Sequence, residues 1–294
     1  MPEVITSPSN PKVKQLLALQ QKSSARRERG LFVVEGRREL QHCIDAGFTV
    51  DTIFVCPSLH GSQPPETSRV ARPLPSDEGP LPLTQPRVAR FPEAAAASAS
   101  GQTKGCEVSK DVYSKVSYRE GTEGIIAEVR VPERKLDGLV LPENPLVVVL
   151  ESVEKPGNLG AVLRSADAAG ADAVLVCDPL TDLWNPNLIR ASIGAAFTVP
   201  TVACSTEEAI AFLQARGIRI LTAQLQDSSL YYDCDMTVGT ALVMGTESTG
   251  LTDRWRQAAD AHIRIPMLGR LDSLNVSVSA AILLFEAVRQ RSNG

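Results

Sequence analysis

The chain is short of aromatics, of histidine and of long apolar runs, and each shortage closes off a class of function. Aromatic residues make up 4% of its 294 residues, too few for the array of stacking rings that non-specific single-strand binders present. The three histidines form no HExxH, and Cys43, Cys56, Cys106, Cys177, Cys204 and Cys234 form no CxxC pair. Neither a zinc site nor a disulfide frame is therefore expected, and the cysteines read as isolated thiols in a reducing compartment. No apolar stretch is long enough for a membrane span, and the opening "MPEVITSPSNPKVKQ" lacks the apolar core of a signal peptide. A cytoplasmic protein with no membrane or metal partner is expected, so the Asn275-Val276-Ser277 sequon reads as chance. There is no GxGxxG and no GxxxxGK[ST], which counts against an enzyme built on NAD or ATP. Net charge is −4; any contact with nucleic acid must be local.

What is present is a globular composition, 43% apolar and 22% charged, in a chain long enough for two cores. Residues 1–30 read as a helix entered through Ser9, Asn10 and Pro11, ending in the basic cluster "SSARRERG". "LFVVEG" reads as a strand, "RRELQHCIDAG" as a helix and "DTIFVC" as a second strand, the start of an α/β domain. Residues 57–104, rich in Pro, Ser, Ala and Gly, read as a mostly unstructured insertion. "EVSKDVYSKVS" then reads as helix, "EGIIAEVRV" as strand, and residues 135–145 as a linker between a first domain, 1–134, and a second, 146–294.

The second domain opens on "LVVVLESV", a continuous apolar run typical of a strand buried on both faces. Helices are expected at 158–170, near 186–196, at 206–216, 251–258 and 275–291. Between them lie the strands "DAVLVC", 199–202, "IRILTA", "TALVMG" and "HIRI". The alternation predicts an α/β fold with a parallel sheet and helices on both faces.

Ligands of such sheets bind beyond the carboxyl ends of the strands, and three segments there stand out. "ESVEKPGNLGAVLRSADAAG" places Asn158 at a helix start and Arg164 beside an apolar stripe. "LVMGTESTGL" runs a strand into a loop where Gly245 and Gly250 let backbone pass close to a ligand and Glu247 stands at a helix entrance. "HIRIPMLGRLDSLNVSVSAAILLFEA" begins its final helix with Asp272, Ser273, Asn275, Ser277 and Ser279. A helix cap needs one of these side chains; five suggest a polar pocket.

In this order and spacing the three segments resemble the motifs of the SpoU (TrmH-like) RNA 2′-O-ribose methyltransferases of the SPOUT superfamily, over about residues 146–294. The preceding region, through "RERGLFVVEGRREL" and "SKDVYSKVS", resembles that family's N-terminal substrate-binding domain, with a ribosomal-protein-like α/β fold. The Pro-rich insertion departs from the family pattern.

The resemblance implies a deep trefoil knot that forms a site for S-adenosyl-L-methionine. It places cofactor contacts at Gly245, Ile265, Met267 and Leu274, with Thr222 and Ala223 lining the same pocket. It implies methyl transfer to a ribose 2′-hydroxyl, with Arg164 acting on that hydroxyl. A guanidinium stays protonated, so Arg164 is expected to orient the hydroxyl and stabilise developing negative charge. Asn158, Glu247, Ser273 and Asn275 complete the expected catalytic rim.

The resemblance also implies a homodimer that packs the last helix at its interface. The expected substrate is RNA, ribosomal RNA in preference to tRNA; an inactive RNA-binding homologue is the alternative. Arg26, Arg27 and Arg29 before the first strand, and Arg37 and Arg38 after it, are the candidate phosphate contacts. A solvated surface position is the simpler account of any one of them; the cluster points to RNA.

Overall fold

The computed structural model describes residues 3–60, 103–118, 123–246 and 249–292. Most of the expected 57–104 insertion lies outside them. Two sheets organise the described residues. The first has five strands in the order β1 (Glu3–Ile5), β4 (Lys104–Val108), β3 (Val50–Val55), β5 (Ile125–Arg130), β2 (Leu31–Glu35). Its β1–β4 and β3–β4 pairs are parallel, and its β3–β5 and β2–β5 pairs antiparallel. The second has seven strands, all parallel, in the order β10 (Ser229–Leu230), β12 (Ala261–Arg264), β9 (Arg219–Ala223), β11 (Thr240–Met244), β6 (Leu146–Glu151), β7 (Ala173–Cys177), β8 (Thr201–Cys204).

The apolar runs behave as their patterns require. Every residue of β6, β7 and β11 is buried. On one face Val148, Leu150, Val174 and Leu242 pack against the helices Pro156–Ala169 and Val276–Ser292. On the other, Val149, Leu175 and Val243 pack with Leu213 and Trp255 of the helices Thr206–Ala215 and Asp253–Ala258. Local signals set the helix starts. Asn10 accepts from the Lys12 amide at 2.8 Å with Pro11 at the first helical position, and Ser205 and Glu208 form a capping box.

Three expectations need correction. Residues 1–30 are not one helix: β1 precedes the helices Pro11–Gln21 and Ser23–Arg29. "KGCEV", placed partly in the insertion and partly in a helix, is strand β4, and the helix is confined to Lys110–Val116. The helix expected at 186–196 breaks after Ser192, where Ile193 and Gly194 take positive φ of 51° and 94°.

The two sheets are joined by a shared core. Phe32 and Val129 of the first sheet, with Phe48 just before β3, pack with Ile189 and Phe197 on the helices Pro186–Ser192 and Ala195–Thr198 of the second half. Trp184 stacks on Phe32 at 4.5 Å between ring centroids. The Arg134 guanidinium lies 4.9 Å from the Phe48 ring centroid, and burial lowers its pKa to about 10.

Candidate active site

Four of the six residues expected to hold a cofactor lie on or just past three strands that are neighbours in the sheet, β12, β9 and β11. Ala223 lies opposite Ile263, and Thr222 lies opposite both Val243 and His262. Gly245 and Ile265 follow two residues beyond Val243 and Ile263. The sheet thus sets Thr222, Ala223, Gly245 and Ile265 along one edge, at the carboxyl ends where ligands of parallel sheets bind. Thr222 is fully buried, and its hydroxyl lies 2.6 Å from His262 Nδ1. Ala223 and Ile265 are part-buried against the core, while Met267 and Leu274 are part-exposed on the loop leading to the last helix.

The loop after β11 folds tightly on itself. The Gly250 amide donates to the Thr246 carbonyl at 3.0 Å, and the Thr249 amide to Thr246 Oγ1 at 3.1 Å. A Cβ on Gly245 would lie 2.2 Å from the Gly250 carbonyl oxygen and 2.6 Å from the Leu251 nitrogen. Only glycine fits that approach. Glu247 lies outside the described residues.

Glu151, not singled out from the sequence, braces this loop. It closes the all-apolar run of β6 yet is only 3% exposed. Its carboxylate accepts from the Thr252 amide at 2.8 Å, the Thr252 hydroxyl at 2.7 Å and the Thr206 hydroxyl at 3.2 Å. An acidic residue ending an otherwise apolar strand was the available signal.

The first and third motifs meet directly. Asn275 Nδ2 donates to Asn158 Oδ1 at 3.2 Å across 117 positions of sequence. Asn275 Oδ1 also accepts from the Ser277 amide at 3.0 Å and the Ser277 hydroxyl at 2.6 Å. Asn275 is therefore both the cap of the last helix and a bridge to the first motif. Ser273 is exposed nearby in sequence, outside that bond. Arg164 lies on the solvent side of the Pro156–Ala169 helix, whose Leu159, Val162, Leu163 and Ala166 are buried. A Cβ on Gly160 of this helix would meet Ala191 Cβ at 2.6 Å, so the helix presses closely on Pro186–Ser192.

The five candidate phosphate contacts do not form one cluster. Arg26 is 3% exposed; its Nε donates to Asp182 at 2.5 Å and its Nη1 to the Leu19 carbonyl at 2.5 Å. It is an interdomain tie, withdrawn from any phosphate. Arg27 and Arg29 are exposed before β2, and Arg37 and Arg38 after it. Five residues of extended chain hold the two groups about 17 Å apart.

An open parallel sheet with glycine-rich and apolar loops past the carboxyl ends of adjacent strands is the architecture of a nucleotide-cofactor enzyme. The model of the SpoU rRNA methylase family matches residues 145–285, and that of the MRM3-like substrate binding domain matches residues 10–127. The 23S rRNA (guanosine-2′-O-)-methyltransferase RlmB of Vibrio cholerae is 37% identical over 192 residues, 63% of this chain and 77% of that protein. The crystal structure of an RNA 2′-O ribose methyltransferase superposes with a TM-score of 0.74 at 35% identity, over 98% of this chain and 99% of that one. The AdoMet-bound rRNA methyltransferase of Sinorhizobium meliloti superposes at 0.79 with 28% identity, over 98% and 97%. The chain belongs to the SpoU family of RNA methyltransferases.

Proposed function

We propose that the protein methylates the ribose 2′-hydroxyl of a nucleotide in ribosomal RNA, with S-adenosylmethionine as the donor. The observation that carries this reading is the bond of Asn158 to Asn275, which joins the first and third motifs, together with a second-motif loop at Gly245 too tight for any side chain; Leu159, Met244 and Val276, next to the three motif residues, share one core cluster. The names of the relatives support ribosomal RNA, and the AdoMet-bound neighbour supports the donor. The donor site fits this chain: Thr222, Ala223, Gly245, Ile265, Met267 and Leu274 offer backbone groups and apolar side chains, what an adenine slot needs. When bound, the donor supplies an electrophilic methyl group on sulfur.

The rest is done by the chain's own side chains. Arg164 orients the ribose hydroxyl and its neighbouring phosphate and offsets negative charge as the hydroxyl proton passes to solvent water while the oxygen takes up the methyl group. Asn158 and Asn275 fix the helix start that carries Arg164 against the third-motif loop. Ser273 and Glu247 are the remaining residues assigned a part in the reaction. Holding the hydroxyl in line with the methyl group supplies up to about 7–11 kcal/mol of the barrier reduction.

We assign residues 1–134 to RNA binding, 135–145 to the connection and 146–294 to the knotted methyltransferase unit. The enzyme works in the cytoplasm as a homodimer through the last helix, where Val278 and Phe285 are 46% and 50% exposed. No helix among the described residues is long and apolar enough to cross a membrane.

The test is transfer of labelled methyl from S-adenosylmethionine to unmodified 23S rRNA, with the product ribose located by mass spectrometry. Label on a base, or none on RNA, overturns the reading. Light scattering that gives a monomer at micromolar concentration overturns the dimer.

A further inference from the structure

One rim of the first sheet gathers Tyr118 and the basic residues Arg37, Arg38 and Arg190 from both halves of the molecule, with the Glu35 and Glu123 carboxylates among them; Glu123 accepts from the Arg37 amide at 2.6 Å. At the end of β2 the Glu35 carboxylate accepts from the Tyr118 amide at 3.1 and 3.0 Å. Arg37 and Arg38 follow Glu35 by two and three residues and are exposed at the start of the helix Arg37–Asp45. From the second half, Asn187 Oδ1 accepts from the Tyr118 hydroxyl at 2.9 Å and from Arg190 Nη2 at 2.9 Å. The Arg190 guanidinium lies over the Tyr118 ring, 4.3 Å from its centroid.

Tyr118 is thus held at its backbone, at its hydroxyl and across one ring face, yet it is 53% exposed. Beyond those contacts about half of the residue stays open to solvent. An interdomain strut does not need an open ring. The seam is already held by the stack of buried Phe32 on part-buried Trp184 and by the Arg26–Asp182 pair. A fixed ring loses little freedom when something stacks on it, and a base offers a matching π-face.

We propose that Tyr118 is a stacking platform for one unpaired base of the RNA substrate, with Arg37 and Arg38 holding the adjacent phosphates. The proposal rests on the reading of the protein as an RNA methyltransferase. It gives a use to one of the few aromatic residues in a chain too poor in them for an array. It also places the platform on helix Pro186–Ser192, which is pressed against the helix that carries Arg164. RNA held at the rim is thereby held in register with the reactive site.

The experiment measures binding of unmodified 23S rRNA across a salt series for the wild type and for Tyr118→Ala, Tyr118→Leu and Tyr118→Phe. S-adenosylmethionine affinity and the melting temperature are read on the same samples. Loss of a stacked base raises the dissociation constant about 5- to 150-fold in the Ala and Leu variants. The salt slope stays unchanged, because no phosphate contact is lost. Tyr118→Phe keeps the ring and restores binding to within about threefold. Arg37→Ala and Arg38→Ala instead flatten the slope by about one each.

Wild-type affinity in Tyr118→Ala overturns the platform. So does a Tyr118→Phe defect as large as that of Tyr118→Ala, which marks the hydroxyl strut as the whole role. In both cases a wild type that methylates the RNA leaves the parent reading standing. A wild type that neither binds nor methylates it brings down the parent reading and the platform together.

Discussion

The two sheets of this protein are built on opposite plans. In the second, β6, β7 and β11 are apolar along nearly their whole length, and the buried polar groups Glu151, Thr222 and Thr240 sit at or next to strand ends. In the first, polar groups enter mid-strand: Thr52 on β3 is 4% exposed and Glu128 on β5 is 2% exposed. Gln15 of the first helix donates to Glu128 at 2.9 Å. The contrast separates two jobs. The parallel sheet is a rigid frame whose active groups are peripheral. The mixed sheet has one face packed by its own helices and the other shared between its own helix Arg37–Asp45 and its neighbour, so it takes part of its core from that neighbour.

The largest effect is expected where the plans meet. Asp182→Asn leaves Arg26 buried without its counter-charge. It should cost about 3–5 kcal/mol, read as a lower urea midpoint for both halves together. Two separated transitions would show that the sheets are independent and that the seam is incidental.

Within the parallel half, Arg164→Ala should lower turnover about 10²–10³-fold and leave S-adenosylmethionine affinity and stability unchanged, because the side chain is exposed. Near wild-type turnover would remove Arg164 from the reaction. Gly245→Ala should show the reverse division. Its Cβ would collide with the Gly250 carbonyl, so cofactor binding should fall on the order of 100-fold. Calorimetry showing wild-type affinity would mean that the cofactor does not use this loop.

The mixed half should lose stability as pH rises through neutrality. Burial raises the Glu128 pKa from 4.5 to about 7, with Asp51 adding to the rise and the Gln15 bond, Arg29 and Lys104 opposing it. The folded chain keeps this proton where the unfolded chain releases it. Its contribution is therefore full below about pH 4.5 and is lost as pH rises through about 7. The total is on the order of 3 kcal/mol. Glu128→Gln should flatten that fall; urea midpoints at pH 5 and pH 8 that shift as in the wild type would refute it.

The smallest expected effect is at the junction of the first and third motifs. Asn275→Ala removes a helix cap worth about 1 kcal/mol and the bond to Asn158. Turnover should drop more than stability does. A loss of stability alone would reduce Asn275 to a cap.

The sequence was most legible where one pattern ran unopposed. The continuous apolar strands and the three ordered motifs of the second half were read with boundaries within a few residues. It was least legible where partners are distant. Strand β1 is three residues long and finds β4 about a hundred positions away, a pairing that no local periodicity signals. Helix 186–196 carried a continuous helical pattern, but packing on the first sheet bends the chain at Ile193. Charge was the most misleading cue. Adjacent arginines at 26 and 27 look alike in sequence, yet helix phase buries one and exposes the other. Glu151 and Tyr118 passed unnoticed because single residues acquire meaning only through what they touch.

The pairing of Arg26 with Asp182 also sets how this protein can be recombined. A designer who wished to retarget the enzyme would cut in the 135–145 connection and graft another substrate-binding domain. The graft would arrive without a partner for Asp182 and with a mismatched socket for Trp184, Ile189 and Phe197. The transferable module is therefore discontinuous: the first 134 residues together with the segment from Asp182 to Phe197, inherited as one piece or exchanged as one piece.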